Sequence, residues 1–221
     1  MTQTPITLNQ LPLYSQWPAI LMGEIDFPIK KRDHAQIEAE YERDKWQNAL
    51  NKVRNSHINI DEAWLLHSPN PSDEQTQYVF CRNDDIYLGT MTEIIDERNA
   101  LLIEHLKPYF DQATALVELG AGIGDKILKF GKICDLPLYA GEYTSTGIEC
   151  IKELSSQWNV PVSTFHFDYN DARTLEPVPE GALIFSSHSI EQIPILPDSF
   201  IEGLITKKPL AVVHAEPVIN N

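Results

Sequence analysis

The stretch Ala115-Leu116-Val117-Glu118-Leu119-Gly120-Ala121-Gly122-Ile123-Gly124-Asp125-Lys126 constrains this chain more than any other. A short apolar run leads into an acid, glycines follow at alternate positions, and a helical pattern takes over. That order reads as buried strand, tight turn and helix start. Glycine lets the backbone take positive φ and come close to a bound molecule, and free N–H groups at the next helix N-terminus would make the spot partly positive. The turn is therefore expected to hold a ligand, nucleoside-like in kind.

Spacing separates the candidates. A dinucleotide fingerprint requires Gly-x-Gly-x-x-Gly, and counting from Gly120 gives Gly122 but puts Asp125 where the last glycine belongs. The pattern present is Glu-x-Gly-x-Gly-x-Gly, and on it Val117 to Gly124 resembles motif I of the class I S-adenosylmethionine-dependent methyltransferases. The resemblance implies a Rossmann-like, doubly wound, mostly parallel α/β sheet of strand order 3-2-1-4-5, with S-adenosyl-L-methionine over Glu118, Gly120, Ala121, Gly122 and Gly124. A carboxylate at Glu118 would sit near the cofactor's methionine ammonium, where a dinucleotide's phosphates would be repelled.

At 221 residues the chain suits one α/β domain with an added subdomain. Its formal net charge of -15 opposes phosphate backbones and anionic lipid surfaces, and no basic patch offsets it, so neither nucleic acid nor membrane is expected as a partner. Cys81, Cys134 and Cys150 are odd in number and lack Cys-x-x-Cys spacing, which argues against a disulfide framework or a structural zinc site and fits a reducing cytoplasm. No uninterrupted apolar run approaches bilayer length. No His-x-x-x-His pair suggests a metal.

Residues 1–90 read as an N-terminal helical and hairpin extension serving as a substrate-binding cap, and 91–221 as the cofactor domain. Pro5, Pro12, Pro18 and Pro28 block a long helix near the start, while Leu11, Leu13, Tyr14, Trp17, Ile20, Leu21 and Met22 would not be left in water, so an irregular arm packed on the rest is expected. Asp33 to Val53 reads as an amphipathic helix capped by Asp33, with a Tyr41-to-Trp46 cluster that either meets substrate or is a solvated face with ion pairs. Ser68 to Asp73 is a loop by composition, and Gln77–Cys81 and Ile86–Leu88 flank a turn at Asn83-Asp84-Asp85. Thr92 to Tyr109 reads as a helix capped by Thr92.

In the cofactor half, the helix after Gly124 would bury Ile123, Ile127, Phe130 and Ile133. Leu136 to Ala140 reads as the second strand, ending in Gly141-Glu142-Tyr143. An acid at that end, roughly twenty residues past the glycines, suits a ribose diol, whose two donors match one acceptor-only carboxylate. Thr144-Ser145-Thr146 then caps a helix burying Ile148, Ile151, Leu154 and Trp158. Val160 to Asp168 alternates as a third strand. The resemblance puts an adenine-amino acceptor at Asp168 with an aromatic neighbour at Tyr169; Asp171 competes, or is a turn residue.

Gly181 to Phe185 reads as a fourth buried strand, followed by Ser186-Ser187-His188-Ser189-Ile190-Glu191. The resemblance places Ser187 at the cofactor and His188 and Glu191 where methyl and acceptor meet. His188 would take a proton from an attacking O–H or N–H, its ordinary pKa lying near working pH. The bland alternative has His188 packing on cofactor or backbone and Glu191 facing solvent. Pro209 to His214 is a fifth strand, with His214 and Glu216 at its carboxyl end. The resemblance implies a sixth and a seventh strand that this sequence is not expected to supply, so the edge along Leu210 to His214 is expected to be covered by the N-terminal segment, by a second copy or another chain, or the chain to be a shortened version of a longer parent. The expected activity is methyl transfer to an N or O of a small molecule or peptide side chain. A nicotinamide-cofactor oxidoreductase and an inactive S-adenosylmethionine-binding subunit are the alternatives.

Overall fold

The computed structural model describes residues 3–26, 36, 39–67, 76–193 and 195–217. The expected Asp33 cap and the Ser68–Asp73 loop lie outside them. In chain order the main elements are β1 (Thr4–Ile6), α1 (Trp17–Leu21), α2 (Trp46–Asn55), β2 (Tyr78–Arg82), β3 (Asp85–Gly89), α3 (Met91–Leu106), β4 (Leu116–Leu119), α4 (Asp125–Phe130), β5 (Leu138–Glu142), α5 (Ser145–Trp158), β6 (Ser163–His166), β7 (Leu183–Ser187), α6 (Asp198–Thr206) and β8 (Ala211–Ala215).

The chain divides into two compact units, 1–32 with 68–101 and 33–67 with 102–221. This differs from a cut at residue 90, because α2 and the turns before and after it pack into the cofactor-type unit. Trp46, Leu50 and Val53 share a core with Ile127, Ile151 and Leu154. Gln157 Nε2 donates to the Val53 carbonyl at 2.7 Å, and Trp158 Nε1 to the Ile58 carbonyl at 2.7 Å.

In the smaller unit the expected hairpin forms, with β3 pairing antiparallel to both β2 and β1. The arm departs from expectation. Leu13, Leu21 and Met22 are 76%, 79% and 66% exposed, so large apolar groups do stay in water here. The helix after β3 is capped two residues earlier than read: Thr90, not Thr92, accepts from the Glu93 N–H while Glu93 reaches back to the Thr90 N–H at 2.9 Å. That reciprocal pair is a capping box.

The larger unit carries a five-stranded parallel sheet in the order β6-β5-β4-β7-β8, which is 3-2-1-4-5 when its own strands are counted. This is the Rossmann-like order expected. Successive strand residues point to opposite faces. Leu116, Leu183 and Phe185 join Ile123, Ile127, Phe130 and Ile151 on one side of β4 and β7, while Val117, Leu119 and Ile184 meet Phe167, Phe200 and Leu204 on the other. Covering both faces is what lets strands this apolar exist, each buried Leu, Ile or Phe contributing about 1.5–3 kcal/mol. Ile133 lies beyond the end of α4 and is exposed, against the expectation that it is buried. Thr144 caps α5 as expected, its Oγ1 accepting from the Gly147 N–H at 3.2 Å. No helix among the described residues is long and apolar enough to cross a membrane.

Candidate functional site

The carboxyl ends of the parallel strands open onto a cleft. Its wall is drawn from four places: the glycine bend after β4 (Gly120, Gly122), the end of β5 (Glu142, Tyr143, Thr144), the turn after β6 (Phe167, Asp168, Tyr169) and the turn after β7 (His188, Ser189, Gln192, Ile193). Tyr41 and Trp46 close it from the turn ahead of α2. This is the switch point between strand orders at which open α/β sheets bind ligands.

Gly120, Gly122 and Gly124 all have positive φ, at 72°, 58° and 77°. Close approach matters as much as φ. A Cβ on Gly120 would stand 2.4 Å from the Ser189 Cβ, and one on Gly122 would stand 3.0 Å from the Trp46 ring. Most amides of the bend itself are engaged. Gly120 and Ala121 N–H donate to the Gly141 carbonyl, Gly122 N–H to Glu142 Oε2, and Gly124 N–H to the Ala121 carbonyl. The bend thus offers the cleft a glycine-lined surface, while the amides of Gly120, Ala121, Gly122 and Gly124 are engaged within the protein.

Glu142 is 6% exposed and faces the cleft. Its Oε1 accepts from Thr144 N–H at 3.0 Å and Thr144 Oγ1 at 2.7 Å, and its Oε2 from Gly122 N–H at 2.8 Å. Burial raises its pKa, and these bonds counter part of the rise. A carboxylate has about four lone-pair sites, so one further donor fits on Oε2, where the sequence suggested a grip on two hydroxyls at once. Asp168 Oδ1 holds the following turn by accepting from Asn170 N–H at 2.8 Å. Asp171 takes the turn role instead, accepting from Arg173 N–H at 3.0 Å.

Not every expected residue reaches the wall. Glu118 has no exposed surface, its Oε2 accepts from Ile127 N–H at 3.1 Å, and its Oε1 has no partner among the described residues. Burial pushes its pKa up to about 8. Glu118 ties the bend to the first turn of α4, buried away from the cleft. Ala121, Gly124 and Ser187 are likewise buried and off the wall. Asp125 is buried beside His67 Nε2 at 3.1 Å and Lys126 Nζ at 3.9 Å; burial opposes its charge, but these two neighbours hold it well below the usual carboxylate range.

His188 lines the cleft and has φ of 55°, a left-handed conformation uncommon outside glycine. Its Nδ1 lies 3.4 Å from Glu191 Oε1, so the two expected residues meet, with Glu191 behind the histidine. Tyr169 OH is buried between Ser189 Oγ at 2.7 Å and the Leu119 carbonyl at 3.2 Å.

Sequence reasoning left out Thr144, Phe167, Ser189, Gln192 and Ile193 as wall residues. Tyr41 and Trp46 were legible as a cluster, but their placement was not. Glu40–Lys45 is a π-helical turn in which Trp46 N–H bonds the Tyr41 carbonyl, and the two rings stand 5.5 Å apart. Glu42 anchors that turn by accepting from Ser145 Oγ at 2.5 Å and Thr146 N–H at 3.3 Å at the start of α5.

The sheet order and the cleft at its switch point define a Rossmann-like, doubly wound α/β fold. No family model and no curated protein matches the sequence. Among solved structures, the chain is similar to the [4+2]-cyclase SpnF at 14% identity and a TM-score of 0.50, over 77% of this chain and 54% of that one. Weaker likenesses are to magnesium protoporphyrin IX methyltransferase (ChlM) of Synechocystis PCC 6803, at 10% identity, TM-score 0.44 and 79% and 67% coverage, and to coclaurine N-methyltransferase, at 18%, 0.42 and 82% and 54%. The chain spans roughly half the length of SpnF and of coclaurine N-methyltransferase. The likeness is one of fold.

Proposed function

We propose that this chain is an S-adenosyl-L-methionine-dependent methyltransferase acting on an N or O of a small molecule or peptide side chain. The observation that carries the reading is the convergence of Gly120, Gly122, Glu142 and Asp168 on one cleft at the sheet's switch point. These residues fit the group. Gly120 and Gly122 give the cleft wall a surface without side chains, Glu142 has one acceptor site for a ribose hydroxyl, and Asp168 lines the same wall, where an amino group can be accepted. Tyr143, Phe167 and Tyr169 supply aromatic surface for an adenine.

The bound cofactor supplies a methyl group made electrophilic by its sulfonium. The chain holds the acceptor in line and excludes water, which are the main requirements of a direct displacement. His188 accepts the proton lost by the attacking N–H or O–H, and Glu191 orients the imidazole through Nδ1. Tyr41 and Trp46 form the wall against which an apolar part of the acceptor rests. The cytoplasm is the working compartment, and the edge of β8 pairs with a second copy, which light scattering tests.

A second reading is retained because SpnF, a [4+2]-cyclase by name, shares the fold: a cofactor-binding protein that transfers no methyl. Calorimetry with S-adenosylhomocysteine and with NAD comes first. Binding of NAD alone would replace the cofactor assignment by that of an oxidoreductase. Incubation with methyl-labelled S-adenosylmethionine and cell extract, read by mass spectrometry, then separates the two readings: labelled product supports transfer, and tight binding without product supports the second.

A further inference from the structure

The turn that carries His188 is held from β8, a strand with no residue on the cleft wall. Glu216, just past β8, accepts from the Ser189 N–H with both oxygens, at 3.2 Å to Oε1 and 3.0 Å to Oε2. Its Oε1 also accepts from the fully buried Ser186 Oγ at 2.7 Å. Because the Ser186 hydroxyl proton is given to Glu216, the His214 Nδ1 found 2.9 Å from Ser186 Oγ must be the donor, which fixes that ring as the Nδ1–H form. One residue earlier, the His188 N–H donates to the Ala215 carbonyl at 3.2 Å. The residues on either side of the left-handed His188 are therefore fixed through Ser187 in the ladder, Ala215 and Glu216. A non-glycine residue holds such a conformation only where its surroundings over-determine it.

We propose that Glu216 is a positioning residue: by clamping the Ser189 amide and the Ser186 hydroxyl it holds His188 in its left-handed conformation, with the imidazole turned to the cleft and to Glu191. The hydroxyl of Ser189 carries the clamp onward, since Ser189 Oγ lies 2.7 Å from Tyr169 OH and 3.1 Å from the Leu119 carbonyl at the root of the glycine bend. One carboxylate thus links the ends of β4, β7 and β8. The consequence for proton acceptance by His188 rests on the methyl-transfer reading; the clamp itself does not.

The test uses the full chain with histidine ring and backbone amide labels. Glu216→Ala should speed exchange of the Ser189 amide at least about tenfold, since a hydrogen bond to a charged group is lost, while Val117 and Ile184 amides keep their wild-type rates. The His188 ring resonances, assigned by their loss in His188→Gln, should shift and broaden. Glu216→Gln, which keeps one accepting oxygen, should restore part of the protection. Unchanged Ser189 exchange with unmoved His188 resonances would overturn the clamp, as would equal acceleration of all sheet amides, which would make Glu216 a general staple. Absence of S-adenosylhomocysteine binding to the wild type would instead overturn the cofactor reading and leave the clamp standing.

Discussion

The carboxylate of Glu142 accepts the Gly122 amide at 2.8 Å, so the end of β5 and the glycine bend after β4 form one rigid lip of the cleft. Replacing Glu142 removes a ligand acceptor and also leaves the Gly122 amide and the Thr144 hydroxyl without their partner. Glu142→Ala is expected to weaken S-adenosylhomocysteine binding by about 1–3 kcal/mol, read by calorimetry. Wild-type affinity in this variant would remove Glu142 from the site.

Gly120 allows the closest approach in the bend. Gly120→Ala puts an L side chain at positive φ, a cost of about 1–2 kcal/mol, and drives its Cβ to 2.4 Å from the Ser189 Cβ. Urea unfolding should show a loss of at least that size, together with weaker binding. A stability equal to wild type would mean that the turn after β7 sits farther from the bend than described.

Glu118 sets a pH dependence. Its folded pKa of about 8 lies above the ordinary carboxylate value, so between about pH 4.5 and 8 the folded chain binds a proton that the unfolded chain has released. Stability should therefore fall as pH rises through that window, by up to about 1.4 kcal/mol per pH unit. Glu118→Gln should flatten this slope in denaturant titrations at several pH values; a slope that persists unchanged assigns it to other groups.

His188 gives a backbone test that is independent of activity. With φ at 55°, His188→Gly should be more stable than His188→Ala by on the order of 1 kcal/mol, the reverse of their order in an ordinary strand or helix. Thermal melts of the two variants decide it. Equal or inverted stabilities would place this residue in a right-handed or extended conformation.

The parallel sheet was legible because Ala115–Val117 and Leu183–Phe185 appear as short continuous apolar runs buried on both faces, and because the first, second, third and fifth strands lead into Gly120, Glu142, Asp168 and Glu216. The cleft residues at those ends, Gly120, Gly122, Glu142, Tyr143, Asp168, Tyr169 and His188, followed from that placement. What the sequence concealed is long-range or one-directional. Glu216 meets Ser189 27 positions away, and Glu42 meets Ser145 103 positions away, with no local pattern to mark either contact. The arm's apolar residues misled because large side chains are often, but not always, inside. Thr90 was recoverable, since Thr90-x-x-Glu93 spells the capping box that Thr92 lacks.

The π-helical turn at Glu40–Lys45 has a consequence for how this cleft can vary. Residues five apart on a regular α-helix diverge around its axis, yet here Tyr41 and Trp46 stand side by side because the turn accommodates one surplus residue. Deleting a single position between them would return the turn to regular α-helical spacing, in which residues four apart are again neighbours, so Tyr41 would stay beside Trp46 while Trp46 kept its register with the core. The surplus residue can thus be lost by an indel of one codon without parting the aromatic pair or touching the sheet.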